Sequence, residues 1–190
     1  MAPALPEEIS PMVLDAVREL INIGVGKAAG ILSELTGSHV LLQVPTVVLT
    51  SEPHSEIATS EPCSREEKLA TVQMQFEGSM AGTMAIFFPP ASAANLVILL
   101  TGESDTTAEM DLIRAETLTE IGNIIINGVM GTISNFVGEP LLYSLPSYEE
   151  IHALRMVEHK EPGGDEGVLV ACTEFRVRDR EIHGNLVILL

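Results

Sequence analysis

Two short runs place a carboxylate and a carboxamide at helical spacing, Glu19-x-x-Asn22 and Glu120-x-x-Asn123. Residues three apart on a helix share one patch of surface. A carboxylate there can hold a cation while the neighbouring carboxamide orients a water molecule. Neither pair is accompanied by a nucleophile–base pair, a cluster of metal ligands or a phosphate-cradling glycine loop, and no deep pocket is implied. An exposed pair of this kind does chemistry by completing a site that another molecule brings.

A single Glu-x-x-Asn carries little information, because ordinary helices produce it often. Here it belongs to a longer unit that occurs twice. Asp15-x-x-x-Glu19-x-x-Asn22 is followed by twenty-two residues and Pro45, and Glu116-x-x-x-Glu120-x-x-Asn123 by twenty-two residues and Pro146. The copies align without a gap at an offset of 101, with further identities at Ile23/Ile124, Gly30/Gly131, Ser33/Ser134 and Gly37/Gly138. Asparagine is a mediocre helix former, yet both copies keep it in the helix interior.

The elements that carry these pairs follow from local signals. Ser10-Pro11 supplies a capping hydroxyl and a proline where no donor is needed, and predicts a helix running to about Leu35 and stopping at Gly37. At about 100° per residue, Val13, Ala16, Val17, Leu20, Ile21, Gly24, Ala28, Ile31, Leu32 and Leu35 form its core side. Asp15, Glu19, Asn22 and Gly26 form a solvent-facing stripe flanked by Ile23. The second helix is expected from a capping box at Thr106-Thr-Ala-Glu109 to about Val137, stopping at Gly138. Its stripe is Glu116, Glu120, Asn123 and Asn127, flanked by Ile124. The recurring small residues Gly24, Gly26, Gly30, Gly128 and Gly131 are read as allowing close helix-on-sheet approach.

β-Branched apolar runs predict strands over 39–50, 68–77, 80–88, 141–147, 168–177 and 182–190. Pro45 and Pro146 mark edge positions or bends. Residues 51–67 and 161–167 read as loops, 91–102 as a short apolar helix and 148–156 as a helical turn. The fold class is therefore α+β: a single domain over residues 1–190, built from two pseudo-twofold related α-β-β-β repeats (about 9–102 and 106–190). Its six-stranded sheet, antiparallel or mixed, carries two long helices packed on it.

Composition narrows the partners. The formal net charge of −17, absence of tryptophan and 4% aromatic content disfavour nucleic acid and anionic membrane surfaces. No apolar run approaches the ~18 residues needed to span a bilayer, and the N-terminus lacks the basic and apolar regions of a signal peptide. A cytoplasmic location without membrane insertion is expected. Cys63 and Cys172 form no framework, and the histidines show no zinc-binding spacing.

Asp/Ser-x3-Glu-x2-Asn-x22-Pro resembles the signature of the CheC/CheX/FliY phosphatases of chemotaxis. Glu-Leu-Ile-Asn-Ile-Gly-Val-Gly-Lys-Ala-Ala (19–29) and Glu-Ile-Gly-Asn-Ile (120–124) are most similar to CheC, which keeps two such pairs. The departure is Glu116, where the family pattern has Asp or Ser. The resemblance implies hydrolysis of the aspartyl phosphate on the response regulator CheY. It makes Asn22 and Asn123 the water-orienting residues, and Glu19 and Glu120 the partners of a receiver lysine. Asp15, Ile23, Glu116 and Ile124 become the surrounding partner contacts. It implies no cofactor held by this chain, since the receiver brings Mg2+, and it names CheD as a further partner. A non-catalytic module that docks CheY or CheD, and a structural relative of the flagellar switch, are the alternatives.

Overall fold

A computed structural model describes residues 10–50, 68–102, 108–152, 155, 168–178 and 180–190. Residues 106 and 107 of the expected capping box, the loops at 51–67 and 161–167, and Cys63 lie outside what is described. The first helix, α1 (Pro11–Thr36), begins as its sequence dictates: the Ser10 side chain accepts from the Val13 backbone N–H, with Pro11 in the first turn. Two strands come next, β1 (Val40–Leu42) and β2 (Thr46–Thr50), then the hairpin β3 (Leu69–Glu77) and β4 (Gly82–Phe88). The short helix α2 (Pro90–Thr101) leads to the long α3 (Ala108–Val137), and β5 (Leu142–Tyr143), β6 (Ser147–Ile151), β7 (Val168–Val177) and β8 (Ile182–Leu189) complete the order.

Both long helices stop on a glycine in the left-handed region, Gly37 (φ 59°) and Gly138 (φ 76°), a conformation that side-chain-bearing residues adopt at a cost. The duplicated serines then tie each helix end to the chain just beyond it. Ser33 Oγ accepts from the Val40 N–H at 3.1 Å, and Ser134 Oγ donates to the Glu139 carbonyl at 3.0 Å.

Among the described residues the sheet has eight strands in the order β1-β7-β8-β4-β3-β5, with β2 also on β7 and β6 also on β3, and every pairing is antiparallel. Six strands were expected. The difference lies at the two edges, where one run is split into β1 and β2 around residues 43–45 and the other into β5 and β6 around residues 144–146. Pro45 and Pro146 sit in those breaks, since proline has no N–H to give the ladder. The register slips by one residue across each, from Val40↔Val177 to Thr46↔Cys172 on one edge and from Phe76↔Tyr143 to Gln73↔Ser147 on the other. Each edge belongs to the opposite half of the chain: β1 and β2 line the β7–β8 hairpin, β5 and β6 the β3–β4 hairpin. Residues 148–151, expected within a helical turn, belong to strand β6 (Ser147–Ile151), because their backbone completes the β3 ladder.

The helices and one sheet face enclose the main core. α1 contributes Ile21, Val25, Ala28 and Leu32, and α3 contributes Leu118, Ile121, Ile125, Ile126, Val129, Met130 and Ile133. Phe88 and Phe175 meet edge to face across the sheet, centroids 5.6 Å apart. Val13, Ala16 and Leu35, expected on the core side of α1, are exposed. A 26-residue helix is about 39 Å long, and its central turns are the ones that find partners. The glycines also act differently from expectation. Gly24 meets the Val129 backbone and Gly128 meets Ala28, so they bring helix to helix, while Gly26, Gly30 and Gly131 have nothing within 4 Å of a Cβ position. The close helix-on-sheet contact is at Gly122, over Val72. The short α2 is held to β8 by Ser92 Oγ, which accepts from the His183 backbone N–H, and by Asn95, which donates to the Glu181 carbonyl. Among the described residues no helix is long and apolar enough to cross a membrane.

Candidate functional site

The packing of α1 fixes which of its faces is free. With Ile21, Gly24, Val25, Ala28 and Leu32 turned inward, Asp15, Glu19, Asn22 and Gly26 are all exposed. Ile23, beside them, leaves 55% of its surface open among the described residues. Asp15 is not a free carboxylate, since its Oδ1 accepts from Arg18 at 2.7 Å across one turn.

On α3 the corresponding stripe is set deeper. Glu116, Glu120 and Asn127 are exposed, whereas Asn123 and its neighbour Ile124 are half-buried. The expectation of a fully solvent-facing stripe is corrected here: Ile121, Gly122, Ile125 and Ile126 are all buried, so more of this helix surface is sunk into the core. The two carboxamides also differ in what holds them. Asn127 Nδ2 donates to Asn123 Oδ1 at 2.7 Å, while the residue one turn beyond Asn22 is Gly26, which has no side chain. The i, i+4 spacing of Asn123 and Asn127 made this bond visible in sequence.

At the base of α3 a separate polar group ties the helix to β6. Arg114 pairs with Asp111 at 2.8 Å and lies 3.8 Å from Glu150, whose carboxylate accepts from the Tyr148 hydroxyl at 3.2 Å. Burial first, and the negative charge of Glu150 second, push the Tyr148 phenol up to about 12. The first half has no equivalent, as Val47 and Leu49 stand where Tyr148 and Glu150 would. This cluster, which motif spacing did not signal, anchors the element that carries Glu120 and Asn123.

Among the described residues, no stripe residue lines either of two open clefts. These clefts, of about 430 and 390 Å³, lie at the breaks in the edge strands, one bounded by Gln75, Glu77, Thr83 and Tyr143, the other by Gln43, Glu174, Arg176 and Asn185. Among the described residues, no three His, Cys, Asp or Glu side chains converge as metal ligands. The pairs therefore offer hydrogen-bonding groups and negative charge on convex helix surfaces, suited to meeting a second macromolecule.

Residues 12–49 match the CheC-like family. Over 136 residues the chain is 25% identical to the CheY-P phosphatase CheC of Bacillus subtilis (strain 168), an alignment covering 70% of this chain and 64% of that protein. The chain thus spans less than two thirds of the length of that curated relative. Among solved structures it resembles Thermotoga maritima FliY, with a TM-score of 0.68 and 18% identity over 97% of this chain and 92% of that one. It also resembles the CheX–CheY–BeF3–Mg2+ complex from Borrelia burgdorferi, with a TM-score of 0.62 and 18% identity over 90% of this chain and 98% of that one. Likeness at these identities is a likeness of fold.

Proposed function

We propose that the chain is a member of the CheC/CheX/FliY family and that it hydrolyses the aspartyl phosphate of a CheY-type response regulator. The observation that carries this reading is the duplicated Glu-x-x-Asn pair on the outward side of both long helices, with Glu19, Asn22, Glu120 and Asp15 in open solvent. Support from relatives comes from the CheY-P phosphatase CheC and from the CheX that forms a complex with CheY, BeF3 and Mg2+.

In this reading each helix docks over the receiver's phosphorylated aspartate. Glu19 or Glu120 pairs with a receiver lysine and fixes the helix in register, while Ile23 or Ile124 packs at the rim. Asn22 or Asn123 accepts a hydrogen bond from a water and holds its oxygen in line with phosphorus. The water–phosphorus bond forms as the phosphorus–carboxylate bond breaks, leaving the free aspartate carboxylate and inorganic phosphate, which keeps the water's protons. A carboxamide does not take up a proton at neutral pH, so its contribution is placement of the attacking water. Mg2+ enters with the receiver and neutralises charge on the phosphoryl oxygens.

Replacing both asparagines, Asn22→Ala with Asn123→Ala, tests this. Phosphate release from a receiver pre-phosphorylated with acetyl phosphate should fall about a hundredfold, or to the receiver's own rate if that is reached first. Circular dichroism should be unchanged, since neither side chain is part of the core. Acceleration surviving in the double variant would remove the asparagines from the mechanism. A chain that binds the phosphorylated receiver without speeding phosphate loss would instead be a docking module.

A further inference from the structure

The two Glu-x-x-Asn pairs are not equivalent: they differ in one hydrogen bond and in the burial of the asparagine. The last torsion of an asparagine side chain is broad and roughly two-fold, so a free carboxamide presents its oxygen or its nitrogen to the same point in space. Asn123 is not free in this sense. The bond from Asn127 Nδ2 to Asn123 Oδ1, 2.7 Å long, selects one of the two amide orientations. The oxygen retains a second lone pair with which to accept from water. Half-burial of Asn123 restricts it further. On α1 the matching position is Gly26, exposed and with nothing within 4 Å of a Cβ position, so no side chain one turn on can hold Asn22.

We propose that Asn127 is a positioning residue that sets the carboxamide of Asn123, making the Glu120/Asn123 site the faster of the two. This rests on the hydrolytic reading above. Asn22 must be ordered as the reactive geometry forms, and immobilising one such side chain corresponds to roughly two- to tenfold in rate. Asn127 acts through Asn123 and not on the partner. Its effect therefore belongs to kcat and leaves KM in place.

Single-site backgrounds separate the terms. Asn22→Ala, which leaves the α3 site, should retain more activity than Asn123→Ala, which leaves the α1 site. Within the first background, Asn127→Ala should lower kcat roughly two- to tenfold at unchanged KM for a CheY-type receiver phosphorylated with acetyl phosphate in Mg2+. Within the second, Gly26→Asn should raise kcat by a similar factor, the position being open. A readout independent of activity is 15N relaxation of the side-chain amides. Asn123 should be more ordered than Asn22 in the unmutated chain and should lose that order in Asn127→Ala. Equal order of the two amides, an unchanged kcat in Asn127→Ala, or a folded Gly26→Asn variant that gains nothing would each overturn the inference. If the unmutated chain does not accelerate phosphate loss at all, the hydrolytic reading falls and takes the rate difference with it. If it does, these outcomes bear on Asn127 alone.

Discussion

At the scale of single residues, the contacts that matter are those a helical wheel places one turn apart. Asp15 with Arg18 and Asn123 with Asn127 are of this kind, and both spacings can be read before any fold is known. The first pair is exposed and contributes little to stability; the second joins the carboxamides of Asn123 and Asn127. Tyr148 was not legible in this way, because its partners come from β6 and α3 together. Its phenol, raised to about 12 by burial and then by Glu150, favours the neutral form in the folded chain. Against an unfolded value near 10, the stabilising contribution is complete below about pH 10 and is lost as pH rises through about 12. Replacing Tyr148 with Phe keeps the ring packing and removes the titrating group. Denaturant midpoints of the unmutated chain should therefore decline more steeply between about pH 10 and 12 than those of Tyr148→Phe. Parallel declines would show that Tyr148 titrates alike in both states.

At the scale of elements, helix ends and strand positions were legible because each rests on a local rule. Ser10 with Pro11 opens α1, Gly37 and Gly138 close the long helices, and β7 spans the expected 168–177. What was not legible needs partners distant in sequence. The edge strands lie on the opposite half's hairpin, and the overhanging ends of α1 leave Val13 and Leu35 exposed. The glycines show the same limit, since composition cannot tell a tight crossing from an open turn. One substitution at two sites should therefore give opposite signs. Gly26→Ala meets nothing and should stabilise by up to about 1 kcal/mol through helix propensity. Gly122→Ala would place its Cβ 2.5 Å from a methyl of Val72, a fully buried β-branched side chain that has nowhere to turn. That overpacking should outweigh the propensity gain and cost roughly 1–3 kcal/mol. Chemical denaturation of the two variants measures both, and a stabilised Gly122→Ala would mean that α3 can lift from the sheet at little cost.

At the scale of the whole molecule, the sheet order reads the same from either edge once the two halves are exchanged, with β4 and β8 joined at the centre. One body thus presents two outward-facing Glu-x-x-Asn pairs. That body also carries 27 acidic against 10 basic residues, a formal charge of −17. Ion pairs such as Arg18–Asp15, Arg114–Asp111 and Arg176–Glu174 each use a basic residue, and the acidic surplus is far larger than the basic residues can match one to one. Like charges held on a compact body repel, and unfolding lets them separate. Salt weakens that repulsion: the screening length shrinks from about 30 Å at 0.01 M to about 8 Å at 0.15 M. Pairs in direct contact change less over this range than the more widely spaced like charges. The balance therefore favours the folded state as salt is added. For a chain of this size each kcal/mol corresponds to about 2–4 °C in melting temperature. Thermal melts at neutral pH should rise by a few degrees as sodium chloride goes from about 0.01 to 0.15 M. A melting temperature that stays level or falls would mean that the acidic side chains are spaced and paired well enough to leave no net repulsion in the folded chain.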